Sequence, residues 1–190
     1  FLSCIMGMAK NPILRAISAV YVWLIRGTPM LVQAFFVFYA IPQLVKVMTG
    51  TAFTLTPFAA GAITLSLNAG AYISEIFRGG IQAVPRGQTE AARSLGLSSA
   101  KTMLRVVLPQ AFKIAIPSLV NQFIITVKDT SILSVIGLAE VVNRAKQYVG
   151  STFSFFATYV YVGALYLVVI SLLMVLSRRI EKRMSYDRKG

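Results

Sequence analysis

Residues 153–177 read FSFFATYVYVGALYLVVISLLMVLS, twenty-five positions without one charged side chain. An α-helix rises 1.5 Å per residue, so about 20 apolar residues cross the hydrocarbon core of a bilayer. This stretch exceeds that length, and it sets the class of the chain. Working outward from it, three more runs repeat the pattern. Residues 27–45 (GTPMLVQAFFVFYAIPQLV) are uncharged, as are 47–74. The second run opens with the turn residues Thr49, Gly50 and Pro57, which places its span nearer 58–77, ending around Glu75. Residues 106–127 (VVLPQAFKIAIPSLVNQFIITV) hold Lys113 alone. The run 129–142 carries Asp129 and Glu140 and is too broken to cross by itself. Residues 1–9 (FLSCIMGMA) read as the tail of a further apolar helix; they lack the basic leader and cleavage site of a signal peptide. The expected fold is all-α, a polytopic membrane protein of about five transmembrane helices with the first truncated. No repeat, low-complexity tract or Gly/Ser linker interrupts residues 1–190, which are read as a single domain.

Composition agrees. The chain is 56% hydrophobic and 13% charged, about half the charge of an ordinary soluble domain. So much apolar surface excludes disorder. The lone Cys4 excludes a disulfide scaffold and reads as a small apolar residue, and the absence of histidine excludes a His-based metal or acid–base site. The 19 Lys and Arg stand against 6 Asp and Glu, a net charge of +13. Such a balance can serve nucleic acid, but no aromatic-interleaved basic groove accompanies it. The cations sit at the ends of the apolar runs, where they meet anionic lipid headgroups.

Cytoplasmic loops of membrane proteins hold the excess Lys and Arg. Segments 10–26, 78–113 and 178–190 carry Lys10, Arg15, Arg26, Arg78, Arg86, Arg93, Lys101, Arg105, Lys113, Arg178, Arg179, Lys182, Arg183, Arg188 and Lys189, fifteen of the nineteen. Lys46, Lys128, Arg144 and Lys146 fall on the other side. The loop 78–105 and the C-terminus are therefore expected in the cytoplasm, and 46–57 and 128–152 outside.

The central loop reads RGGIQAVPRGQTEAARSLGLSSAKTMLRVVLP over 78–109. Pro85 suits a first helical turn, and Gln88 to Leu95 are mostly good helix formers. Gly96 stops that helix by accepting the left-handed conformation. Ser98 or Ser99 then caps a second short helix running through Val106, and Pro109 marks the turn into the next span. On pattern alone this fits an amphipathic interfacial loop equally well.

The spacing adds identity. Glu90-Ala91-Ala92, Gly96, Val106 and Leu108-Pro109 together resemble the EAA loop of bacterial ATP-binding-cassette importer permeases, with Val106 where that family has Ile. Arg26-Gly27-Thr28-Pro29 with Leu31-Val32-Gln33, Ala71 to Gly80, and Lys128 to Ile136 resemble segments of its polar amino-acid branch. The resemblance covers about residues 10–180. It implies a permease that works as a pair, with a second copy or a related permease. One cytosolic ATPase binds each permease, and an extracytoplasmic binding protein delivers an amino acid. It places the permease in the bacterial cytoplasmic membrane. By position it assigns the ATPase contact to Glu90, Ala91, Ala92 and Gly96, with Arg86 and Arg93 at the edges, and makes the short loop helices coupling helices.

No catalytic residue and no metal site is expected. The segment 96–102 has part of a phosphate-loop pattern, but Ala100 stands where Gly must precede Lys101. The chain thus needs no cofactor of its own; ATP and Mg belong to the partner ATPase. Among the acids, Glu75 is expected to pair with Arg78 and Glu140 with Arg144. Lys128-Asp129-Thr130-Ser131 interrupts a helix after Val127, and an interruption at membrane depth offers backbone groups to a substrate's charged ends. Asp129 is expected to draw in the ammonium, while Lys128 meets the carboxylate or neutralises Asp129. Gln33, Asn68, Asn121 and Gln122 bridge helices or line the path. The alternative, a stand-alone channel or secondary transporter, needs its own gate and coupling-ion site.

Overall fold

A computed structural model describes residues 2–186, with side chains through Ile180. Arg188 and Lys189 of the basic tail, and the side chains of Lys182 and Arg183, lie outside the described part. Every regular element among the described residues is helical. The order is α1 (Leu2–Gly7), α2 (Pro12–Gly27), α3 (Met30–Phe35), α4 (Ile41–Thr49), α5 (Pro57–Gln82), α6 (Arg86–Ser94), α7 (Ser99–Thr102), α8 (Leu108–Asp129), α9 (Val141–Thr152) and α10 (Phe155–Tyr186). Two wide π-helical turns, Phe36–Ala40 and Met103–Val107, join α3 to α4 and α7 to α8, and a 3-10 helix, Thr130–Ile136, continues α8.

Three continuous helical stretches are long and apolar enough to cross a membrane: Met30–Thr49, Ser99–Ile136 and Phe155–Ile180. The span expected at 58–77 is the 26-residue α5, long enough at about 39 Å but richer in Gly, Ser and Thr. The segment 10–26, counted above for its cations, is not a loop: most of it is α2. Nor does Pro109 turn the chain. It lies second in α8, directly after the π turn 103–107. Pro42 lies second in α4, directly after the π turn 36–40. A proline lacks an N–H, and its ring meets the carbonyl four residues back. Those carbonyls, Arg105 and Phe38, sit inside the widened turns, and the helical stretch runs on past each proline.

The long helices pass through two compact units. Residues 22–69 and 123–175 make one of them. Its core joins Ala34 and Val37 around α3 to Ala60 of α5 and to Leu133 and Ile136 of the 3-10 helix. Leu133 is wholly buried, and a Cβ on Gly61 would come within 2.8 Å of its Cδ1. Helix α9 is tied to the 3-10 helix by polar contacts: Lys146 Nζ donates to Ser134 Oγ (2.9 Å) and Asn143 Nδ2 to the Ser134 carbonyl (3.3 Å).

The other unit gathers the described residues of 1–21, 70–122 and 176–190. There the end of α5 crosses the start of α8, with Val84, Val107 and Ala111 buried between Ile81 and Ile114. Gly80 permits this crossing, since a Cβ on it would stand 2.8 Å from the Ala111 carbonyl oxygen. Phe77 stacks on Phe112 beside it. The Ser18 hydroxyl donates to the Ser3 carbonyl (2.7 Å), holding α2 to α1.

Candidate functional site

The loop singled out in the sequence forms a helix–turn–helix within the second of these units. Pro85 precedes α6 with φ −56° and ψ 134°, an extended entry that its ring favours. Along α6, Arg86, Glu90 and Arg93 recur at helical spacing on one exposed face, and Ala91 is exposed too. Ala92 points inward and is buried. The helix closes as the spacing predicts. Gly96 has φ +82°, the Gly96 amide donates to the Arg93 carbonyl (2.9 Å), and the Leu97 amide reaches back to the Ala92 carbonyl (3.2 Å). That double closure satisfies carbonyls a helix end otherwise leaves open. Ser98 caps α7, its hydroxyl accepting from the Lys101 amide (3.4 Å). Gln110 of α8 donates to Gln88 of α6 (3.4 Å), fixing the loop to the helix that follows.

The loop thus offers a rigid face carrying Arg86, Glu90, Ala91 and Arg93, with Gly96 at its corner. Leu95, beside the corner, is 85% exposed. Sequence reasoning treated Leu95 only as a helix former. Its position just before a left-handed glycine, outside the buried face that Ala92 marks, was the available signal.

The second candidate, Lys128 to Ser131, lies in the unit of residues 22–69 and 123–175. The expected interruption takes a particular form: the helix tightens from α to 3-10 at Thr130 rather than opening. The Thr130 hydroxyl donates to the Val127 carbonyl and the Ser131 hydroxyl to the Lys128 carbonyl, both at 2.7 Å. Tyr166 of α10 lies near Thr130, Ser131 and the Glu140 carboxylate. Lys128 is exposed and Asp129 half-buried. Among the described residues, Lys128 is the charge that faces the Asp129 carboxylate, and no hydrogen-bond donor reaches it. Asp129 therefore keeps its acceptor capacity for a cation.

The remaining acids and amides have clear places. Arg78 grips Glu75 with two bonds, 2.9 and 2.6 Å, the expected helix-end pair. Glu140 does not pair with Arg144. It caps α9, its two carboxylate oxygens accepting from the amides of Val142 (2.8 Å) and Asn143 (2.6 Å), while Arg144 reaches Gln147 (3.2 Å). An N-terminal cap wins because it satisfies two amides and faces the positive end of the helix dipole. Gln33 bridges helices: its Nε2 donates to the carbonyls of Ile25 (2.7 Å) and Thr28 (3.0 Å) and lies 3.0 Å from Thr28 Oγ1. Its Oε1 accepts from Asn68 Nδ2 (3.1 Å). Gln122 is buried and Asn121 exposed.

Known proteins resemble this chain in sequence and in fold. The family model described as "Binding-protein-dependent transport system inner membrane component" matches residues 1–186. The L-cystine transport system permease protein TcyB of Bacillus subtilis (strain 168) is 41% identical over 178 residues, 93% of this chain and 73% of that one. The glutamine transport system permease protein GlnP of Escherichia coli (strain K12) is 37% identical over 88% of this chain and 74% of its own. A crystal structure of an amino acid ABC transporter with histidines superposes with a TM-score of 0.88 at 36% identity, covering 95% of this chain and 81% of that one. The inward-facing MetNI methionine ABC transporter shares the fold, with a TM-score of 0.73 at 18% identity over 97% of this chain and 90% of that one.

Proposed function

Because the chain belongs to the family of binding-protein-dependent transport system inner membrane components, we propose that it is the translocation subunit of an ATP-driven importer taking up an amino acid from an extracytoplasmic binding protein. It contributes the passage, and a separate ATPase chain binds ATP and Mg and hydrolyses the nucleotide. The observation that carries this reading is the exposed α6 face with its glycine corner, a rigid peg suited to a partner's groove. Arg86, Glu90 and Arg93 supply charges to pair there, Ala91 allows close approach, Ala92 anchors the peg from beneath, and Gly96 fixes its angle. The relatives named for cystine and glutamine transport support an amino acid as the cargo. A second permease, identical or related, completes the pathway. The chain sits in the bacterial cytoplasmic membrane as one multi-pass domain, with 78–109 and the C-terminus in the cytoplasm.

Lys128 to Ser131 is the segment we assign to substrate. An amino acid carries an ammonium and a carboxylate, and stripping either of water without a partner costs several kcal/mol. Asp129 offers the ammonium a charge where Coulomb attraction is weakly screened, and Lys128 meets the carboxylate or balances Asp129 when the site is empty. Thr130 and Ser131 hold the tight turn that presents both. The test is purification of the tagged permease from its own host membranes. A nucleotide-binding chain should copurify with it and should be lost with Gly96→Val while the permease still inserts. A permease that purifies alone yet transports points instead to a stand-alone channel or secondary transporter.

A further inference from the structure

The cation pattern assigns Arg26 to a cytoplasmic segment, but the hydrogen bonds around it give it another level. Ile25, its neighbour, accepts from Gln33 through its carbonyl, and Gln33 in turn accepts from Asn68. Asn68 is the twelfth residue of the 26-residue α5, about 16 Å along the axis from Pro57 and about 21 Å from Gln82. The break Thr28–Pro29 between α2 and α3 is therefore stapled to the middle of a helix about 39 Å long, not to its end. The staple is built rather than frayed: Thr28 Oγ1 donates to the Leu24 carbonyl (2.8 Å), and Gln33 Nε2 donates to the carbonyls of Ile25 and Thr28. Gln33 and Asn68 are buried. The start of α3 shares its core with the 3-10 helix that follows Lys128–Asp129, through Ala34, Val37, Leu133 and Ile136.

We propose that Arg26 stands at membrane depth beside the α2–α3 break and takes the carboxylate of the substrate as it passes, opposite in charge to Asp129 of the same unit. The proposal rests on the reading of this chain as an amino-acid importer subunit. A guanidinium at membrane depth costs about 2.5–3.5 kcal/mol even on the most lenient scale and marks ion and substrate paths. Arginine stays charged and offers a planar fork that fits a carboxylate with two bonds, which lysine does not. An arginine carboxylate-binder and an acidic ammonium-binder in one unit suit a zwitterion.

The test uses the whole complex, with permease, ATPase and binding protein reconstituted in vesicles, and labelled L-glutamine, L-arginine and L-cystine as probes. For whichever probe the parent imports, Arg26→Gln should cut uptake about tenfold or more, the loss of one charge-assisted contact of about 1.4 kcal/mol. Arg26→Lys should recover part of it. ATP hydrolysis stimulated by the binding protein should persist in both, which a merely structural residue would not allow. Uptake unchanged in Arg26→Gln, or uptake and stimulated hydrolysis lost together in both variants, overturns the proposal. In a second arm, Arg26→Cys in a Cys4→Ser background meets a bulky membrane-impermeant maleimide. Labelling far slower than at Ser99→Cys from the cytoplasmic side supports the depth; labelling at the Ser99→Cys rate overturns it. A parental complex that imports none of the probes with ATP counts against the importer reading itself.

Discussion

Position 96 needs a backbone that L side chains resist. Its φ of +82° costs a non-glycine residue about 1–2 kcal/mol, with no neighbour within 4 Å to add a clash. The barrier is thus conformational and not steric, which gives a graded prediction. Gly96→Val should weaken retention of the ATPase, and Gly96→Asn, whose short polar side chain tolerates the left-handed region, should retain most of it. Equal loss in both would show that the corner matters through something other than φ. Glu140 gives a second residue-scale prediction. Glu140→Ala removes the cap of α9 and should cost about 0.5–2 kcal/mol in a thermal unfolding assay in detergent, whereas Arg144→Ala should cost little. Residue spacing made Glu75–Arg78 legible in the sequence. The same spacing misled at Glu140 because a helix begins between the partners, and pattern alone did not place that boundary.

At the scale of elements, two glycines side by side separate packing from conformation. Gly80→Ala drives a methyl into the Ala111 carbonyl and must push α5 from α8, a cost of about 1–3 kcal/mol. Gly79→Ala meets nothing within 4 Å and should leave stability unchanged or slightly raised, since alanine favours a helix. Melting the two variants side by side in detergent checks this, and equal effects would contradict the crossing. Apolar runs made the long helices legible, and α6 could be read from helix formers ended by a glycine. The joints could not: Pro42 and Pro109 look like stops, and only the π turns ahead of them show how a helix continues past the missing amide. The segment 128–131 was visible as an interruption, but its tightening into a 3-10 helix depends on the Thr130 and Ser131 hydroxyls reaching particular carbonyls. Asp129→Asn keeps the shape of that turn and removes its charge. Transport by the reconstituted complex should fall about tenfold, near 1.4 kcal/mol, with basal ATP hydrolysis intact; parental transport would send the search for substrate contacts to Asn121 and Gln122.

For the whole molecule, we propose the threading that the charge asymmetry implies, with 78–105 and the C-terminus in the cytoplasm. Single cysteines at Ser99 and Thr152, in a Cys4→Ser background, should react from opposite faces of intact cells. Reaction of both with an impermeant reagent added outside would reverse or break that threading. The deeper claim is that this chain moves its cargo only when a partner spends ATP. The most direct measurement is uptake of a labelled amino acid into vesicles bearing the permease and its ATPase, with the binding protein outside and ATP inside. The account predicts accumulation that stops when either the ATP or the binding protein is left out. Accumulation by the permease alone, driven by an ion gradient and indifferent to ATP, would contradict it.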